Sequence, residues 1–184
     1  MQLKHEVFTV AVKLDAKLFR RFALFDTFRR QRRWVSPALF AGIMLAFSLI
    51  CYMLRGRNEQ AVLLGTVLLG AGLLLPAAYF LSFFLSVRAS IKNLGLAQAR
   101  HTYTVTLSAG GGVRVSTETE QAVCSWQNLY GAYRVPGCVY LYAAPTRAYL
   151  LPDGQIPGGA ARLWRLLETV LPAQKLHDLT AGRA

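Results

Sequence analysis

The stretch Trp34–Leu54, WVSPALFAGIMLAFSLICYML, carries no ionised side chain, and neither does Ala61–Val87, AVLLGTVLLGAGLLLPAAYFLSFFLSV. Six residues, Arg55–Gln60, separate the two. An α-helix rises about 1.5 Å per residue, so about 20 apolar residues cross a hydrocarbon core about 30 Å thick. Each run is long enough, and no soluble core built from the rest of the chain could absorb both. The expected class is therefore an α+β membrane protein with a transmembrane helical hairpin at 34–54 and 61–87, joined by an external loop at 55–60.

Working outward, the flanks are basic. Lys17, Arg20, Arg21, Arg29, Arg30, Arg32 and Arg33 precede the first run, and Arg88, Lys92 and Arg100 follow the second. Lysine and arginine are retained on the cytoplasmic side of short segments, so both termini are expected there. The same retention accounts for most of the net charge of +12 without invoking nucleic acid as a partner. Anionic lipid headgroups are the remaining candidate ligand, with Arg20, Arg21, Arg29, Arg30, Arg32, Arg33, Arg88 and Lys92 as the membrane-surface residues. Neither run fits a cleaved leader, which has a shorter apolar stretch nearer the start. No Asp, Glu, Lys, Arg or His interrupts either span, which argues against a pump or ion transporter. Gly65, Gly70 and Gly72 permit close helix packing, and Pro76 is expected to kink or loosen the second helix.

Ahead of the hairpin, Val7–Leu14 alternates as a strand, with Phe8, Val10, Val12 and Leu14 on one face. Asp15 is placed to cap a helix in which Leu18, Phe22, Phe25 and Phe28 recur at helical spacing among arginines. Two readings of this 1–33 segment stand: packing on the soluble domain, or lying in the headgroup layer.

Beyond Lys92 the period shortens. Strands are expected at His101–Leu107, Val113–Thr117, Thr119–Trp126, Leu129–Val135, Cys138–Ala143 and Arg147–Leu151. The run Gly110–Gly112 reads as a hairpin turn, since a phosphate loop would end in Gly-Lys-Ser/Thr before a helix. Leu163, Leu166, Leu167 and Val170 then form one face of a short helix ending near Pro172, and 173–184 reads as a loose polar tail. Trp126, Leu129, Tyr140, Tyr142, Pro152, Leu163 and Leu167 are the expected core or interface residues of this 88–172 domain.

Catalytic chemistry does not assemble. His5, His101 and His177 fall on unconnected elements, Glu118 and Glu120 share a turn, and Cys51, Cys124 and Cys138 show no metal-ligand spacing. The expectation is no catalytic residue, no metal and no cofactor.

Three motifs carry a resemblance. Trp126 followed by Leu129 and Ala132, then Val139–Tyr142, then Ala148–Pro152, resemble the C-terminal signature of the YcxB-like bacterial membrane proteins. That family has a tryptophan followed by aliphatics, an aromatic strand of "fyly" type and a strand ending in "iP". It also places a strand and helix, then two transmembrane helices, ahead of the domain. The resemblance implies a small antiparallel, pleckstrin-homology-like sheet or barrel capped by a C-terminal helix. It implies residence in the bacterial cytoplasmic membrane as a multi-pass protein. The chain departs from the family at Asp153, where a basic residue often follows the proline, so no anion-binding edge is implied at that corner. The functional expectation is a non-enzymatic inner-membrane protein whose cytoplasmic domain binds a protein partner, scaffolds or regulates. An oligomeric channel or sensor with Ser48, Thr66 and Ser82 on a shared axis is the alternative, beside a module that binds anionic lipid through its arginines.

Overall fold

The structure is a computed structural model in which residues 7–54, 59–96, 100–117 and 120–180 are described. The loop expected at 55–60 lies outside these up to residue 58, as do His5, Glu118, Thr119 and the last four residues. The chain divides into two units, Met1–Leu14 with Ala99–Ala184, and Asp15–Gln98.

Among the described residues the first unit holds eight strands and one α-helix, with short 3₁₀ turns between them. Its first sheet is a meander of β1 (Val7–Leu14), β2 (Arg100–Ser108), β3 (Gly112–Ser116) and β4 (Gln121–Cys124), all antiparallel. The eight-residue alternation of β1 is realised fully: Phe8, Val10, Val12 and Leu14 are buried and the intervening residues exposed. Its pairing with β2, Val7 opposite Ser108 and Leu14 opposite Arg100, reaches across the whole helical segment. At the bulged end of β1 the Lys13 N–H donates to Gln155 Oε1 at 2.7 Å, and Gln155 Nε2 donates to the Lys13 carbonyl at 3.0 Å. One side-chain amide thus serves as a ladder partner for backbone groups that must find one.

The second sheet runs β7 (Arg147–Pro152), β6 (Cys138–Ala144), β5 (Gly131–Val135) and β8 (Leu176–Asp178), with β8 parallel to β5. The two sheets are tied through Tyr103, whose hydroxyl donates to the Leu150 carbonyl at 3.2 Å and accepts from the Leu150 N–H at 2.8 Å. Burial raises the pKa of that hydroxyl far above its ordinary value, which keeps it a neutral donor and acceptor. Helix α4 (Gly159–Val170) buries Leu163, Trp164, Leu166 and Leu167. Leu107, Leu129, Leu141, Tyr142 and Leu151 complete a densely filled interior.

Two sequence expectations are corrected in this unit. The third strand is shorter than 119–126: β4 ends at Cys124, and Trp126 opens a 3₁₀ turn, Trp126–Asn128, as a half-buried residue. Its indole Nε1 donates to the Ser108 carbonyl at 3.0 Å, clipping this turn to the end of β2. The tail is not wholly loose either. Residues 176–178 form β8, and Lys175 Nζ donates to the carbonyls of Gln127 and Leu129 at 2.9 and 2.7 Å. A three-residue strand shows no readable alternation, whereas main-chain pairing and a lysine clamp need none.

The hairpin turn at Ala109–Gly111 falls where the glycines are. Gly112, at φ 82°, is the position that demands glycine: a Cβ there would lie 2.5 Å from the Cys124 carbonyl oxygen.

The second unit is helical. Asp15 caps α1 (Ala16–Leu24), its carboxylate accepting from the Leu18 N–H at 2.7 Å. A π-helical turn, Phe25–Arg30, extends α1, and α2 (Val35–Met53) and α3 (Glu59–Asn93) pack as a hairpin. Both are long, apolar and largely exposed, consistent with membrane spans. The apolar run ends at Val87, but the helix continues to Asn93, so α3 is 35 residues and about 52 Å long. Arg88, Ala89, Ser90, Ile91 and Lys92 change the preferred solvent without breaking the backbone pattern. The helix also runs unbroken through Pro76.

Candidate membrane-interface site

The basic end of the helical unit is built on aromatic contacts. Phe28, on the π turn, stacks on Phe80 of α3 at 5.9 Å and meets Phe83 edge-on at 5.5 Å. The α1 segment therefore packs along α3. Its apolar stripe covers part of the α3 length that the 19-residue α2 is too short to accompany. This contact with α3, inside the helical unit, is not one of the two placements the sequence left open.

Asp26 organises the turn. It accepts from Arg30 Nε at 2.7 Å and from the Gln31 side-chain amide. The Gln31 N–H donates back to the Asp26 carbonyl at 2.9 Å, and the Arg33 N–H to the Thr27 carbonyl at 3.0 Å. Arg32 then takes φ 49°, a left-handed conformation that helices ordinarily end on with glycine. This reverses the chain into α2, and Pro37 sits in the first turn of α2, where a missing N–H is tolerated.

The structure separates the expected surface cations. Arg20, Arg21, Arg29, Arg32, Arg33, Arg88 and Lys92 are exposed, whereas Arg30 is largely buried against Asp26. Arg20 and Arg88 come together on one cleft of about 300 Å³ floored by Leu24, Phe83, Phe84 and Val87. Arg33 stands elsewhere, on a groove of about 620 Å³ with Ser36, Pro37, Phe40, Leu75, Pro76 and Tyr79. Tyr79 and Leu75 escaped the sequence reading, and Pro76 entered it only as a kink, because only the register of two antiparallel helices brings them to one groove with Pro37 and Phe40. Small residues set that register: a Cβ on Gly65 would lie 3.2 Å from Cys51 Cβ, and one on Gly72 2.9 Å from Met44 Cβ.

The hydroxyls that motivated a pore are engaged within the hairpin. Ser48 Oγ donates to the Gly65 carbonyl at 2.8 Å, Thr66 Oγ1 to the Val62 carbonyl at 2.9 Å, and Ser82 Oγ to the Tyr79 carbonyl at 2.8 Å.

In the β unit, Leu129, Tyr140, Tyr142, Leu163 and Leu167 are fully buried, while Pro152 and Trp126 are half-buried. Trp164, absent from the sequence expectation, is buried beside Leu163. No group of three or more potential metal ligands clusters among the described residues. Asp153 is the anomaly of this unit, its Oδ1 buried without a hydrogen-bond partner. Burial raises its carboxyl pKa, against the lowering pull of the Arg134 guanidinium and the Gly137 backbone. A raised folded-state value means the ionised form disfavours folding, a penalty present at neutral pH and relieved as the carboxyl protonates. Asp153→Asn is thus expected to stabilise this unit at pH 7 only slightly, by about 0.5 kcal/mol or less, because solvent screens a partly exposed carboxyl. The gain should fade as thermal melts are repeated toward pH 4.

No family model, curated protein or solved structure matches this chain.

Proposed function

We propose that the protein is a non-enzymatic, multi-pass protein of the bacterial cytoplasmic membrane that displays its β unit, a pleckstrin-homology-like domain, to a cytoplasmic protein partner. The observation that carries this reading is the exposed apolar surface of α2 and α3: Met53, Leu63 and Leu74 are 76%, 71% and 70% exposed. A soluble protein rarely leaves so large a contiguous apolar surface uncovered. Exposed arginines gather at the end of the hairpin opposite its loop, which supports a cytoplasmic placement for both flanks. A four-stranded sheet, a second sheet and a closing helix support the pleckstrin-homology-like reading and, with the motifs between Trp126 and Pro152, the YcxB-like kinship. Tethering raises the effective concentration of such a domain toward partners at the same surface.

The test combines extraction and labelling. The full chain should stay in the membrane pellet through alkaline carbonate and enter solution only with detergent. A Thr180→Cys thiol should be silent to an impermeant reagent in intact cells and react after lysis. Labelling from outside, or a folded product without detergent, overturns the placement. Recovery as a solitary monomer in several mild detergents overturns the partner.

A further inference from the structure

The helices α2 and α3 pack tightly at Gly65 and Gly72, and beyond Gly72, toward the start of α2, an open groove lies on them. Pro37 from α2 and Pro76 from α3 both line it, with Phe40 and Leu75 on the walls. Arg33 and Ser36, at the beginning of α2, and Tyr79 add the polar groups. An apolar slot with a few convergent polar groups at one end is the form of an amphiphile site.

Charge decides which amphiphile. Within residues 15–33 and 88–98 there are nine basic side chains and two acidic ones, Asp15 and Asp26. Both acids are committed, Asp15 to the Leu18 N–H and Asp26 to Arg30. Among the described residues no carboxylate pairs with Arg33. Its exposed guanidinium is a planar, permanently charged donor suited to a phosphate. A zwitterionic headgroup would bring a second cation into a field that is already positive, while an anionic one brings none.

We propose that this groove holds one anionic phospholipid, its acyl chain along Phe40, Leu75 and Pro76 and its phosphate on Arg33, with the Ser36 hydroxyl as a second donor. The site rests on the membrane placement proposed above and adds to it a chemically selective position.

The experiment is native mass spectrometry of the full chain, released from detergent after incubation with equal amounts of phosphatidylglycerol and phosphatidylcholine of matched chains. One phosphatidylglycerol should be retained per chain with a preference of about five-fold, the factor that about 1 kcal/mol per basic side chain represents. Arg33→Gln should bring the preference to unity. Lys17→Gln, which removes the same charge outside the groove, should keep it. Leu75→Trp should fill the slot and abolish retention of both lipids. Equal retention by the native chain, a preference surviving Arg33→Gln, or the same loss with Lys17→Gln overturns the site. So does a dimer in which a second copy takes the place of the lipid. A chain that needs detergent yet shows no preference fails this proposal alone, whereas one soluble without detergent fails the membrane placement itself.

Discussion

Leu74→Arg is expected to impair membrane insertion of α3 by about 3 kcal/mol, the penalty for arginine near the middle of a spanning helix. Leu74 is 70% exposed and follows Gly72, which packs on Met44 midway along α2. In a water-soluble protein the same change at so exposed a position would be nearly silent, within about 0.5 kcal/mol. The two outcomes are far apart, so a glycosylation-mapping or protease-protection assay of integration efficiency reads them directly. Unchanged integration, with a protein that becomes more soluble, would place α2 and α3 in water. Arg88→Leu is a useful companion: it lengthens the apolar run and should leave integration intact, because Ala61–Val87 is already longer than one crossing requires.

The second large effect belongs to the β unit. Leu163→Ala should destabilise it by about 2–5 kcal/mol, the range for deleting a buried leucine that leaves a cavity. Leu163 is wholly buried on α4 beside Trp164, Leu166 and Leu167, so neighbouring side chains cannot collapse cheaply into the space. Small domains are stable by only about 5–15 kcal/mol, so the loss takes a large share of the total. Glu168→Ala, on the exposed face of the same helix, should change stability by no more than about 0.5 kcal/mol. Hydrogen exchange of the detergent-solubilised chain measures both, and α2 and α3 should keep their protection in either variant. Equal effects of the two substitutions would mean that α4 is not seated as described.

The elements that were legible in the sequence are those where solvent preference and backbone period coincide. Alternation in Val7–Leu14 gives β1 with its inward face, and Asp15 marks the start of α1 through a carboxylate that needs an N–H partner. Long uncharged runs mark α2 and α3. What failed did so because pattern does not encode partners. Val7–Leu14 reads as a strand, yet nothing in it says that its neighbour begins at Arg100, beyond both helices. The apolar run ends at Val87 while α3 continues to Asn93, because charge reports on environment and the main chain of a helix is indifferent to it. The π turn at Phe25–Arg30 depends on Asp26 gathering Arg30 and Gln31, an arrangement with no compositional signature. At the site, the arginines were legible as a basic cluster. Their division into Arg30 with an internal partner, Arg20 with Arg88, and Arg33 on the groove is set by tertiary register.

The pairing of β1 with β2 has a consequence for biogenesis. β1 leaves the ribosome before β2 and must wait for some 85 intervening residues before Leu14 can meet Arg100. Contacts so distant along the chain form slowly, which leaves a nascent strand edge exposed meanwhile. Completion also depends on parity. In the membrane placement proposed above, a chain that threads one helix and not the other strands β1 on the wrong side of the bilayer, and no sheet can close across lipid. Misinserted copies would then carry an unfinished domain, visible to proteases, so correct topology and a folded domain are certified by the same event.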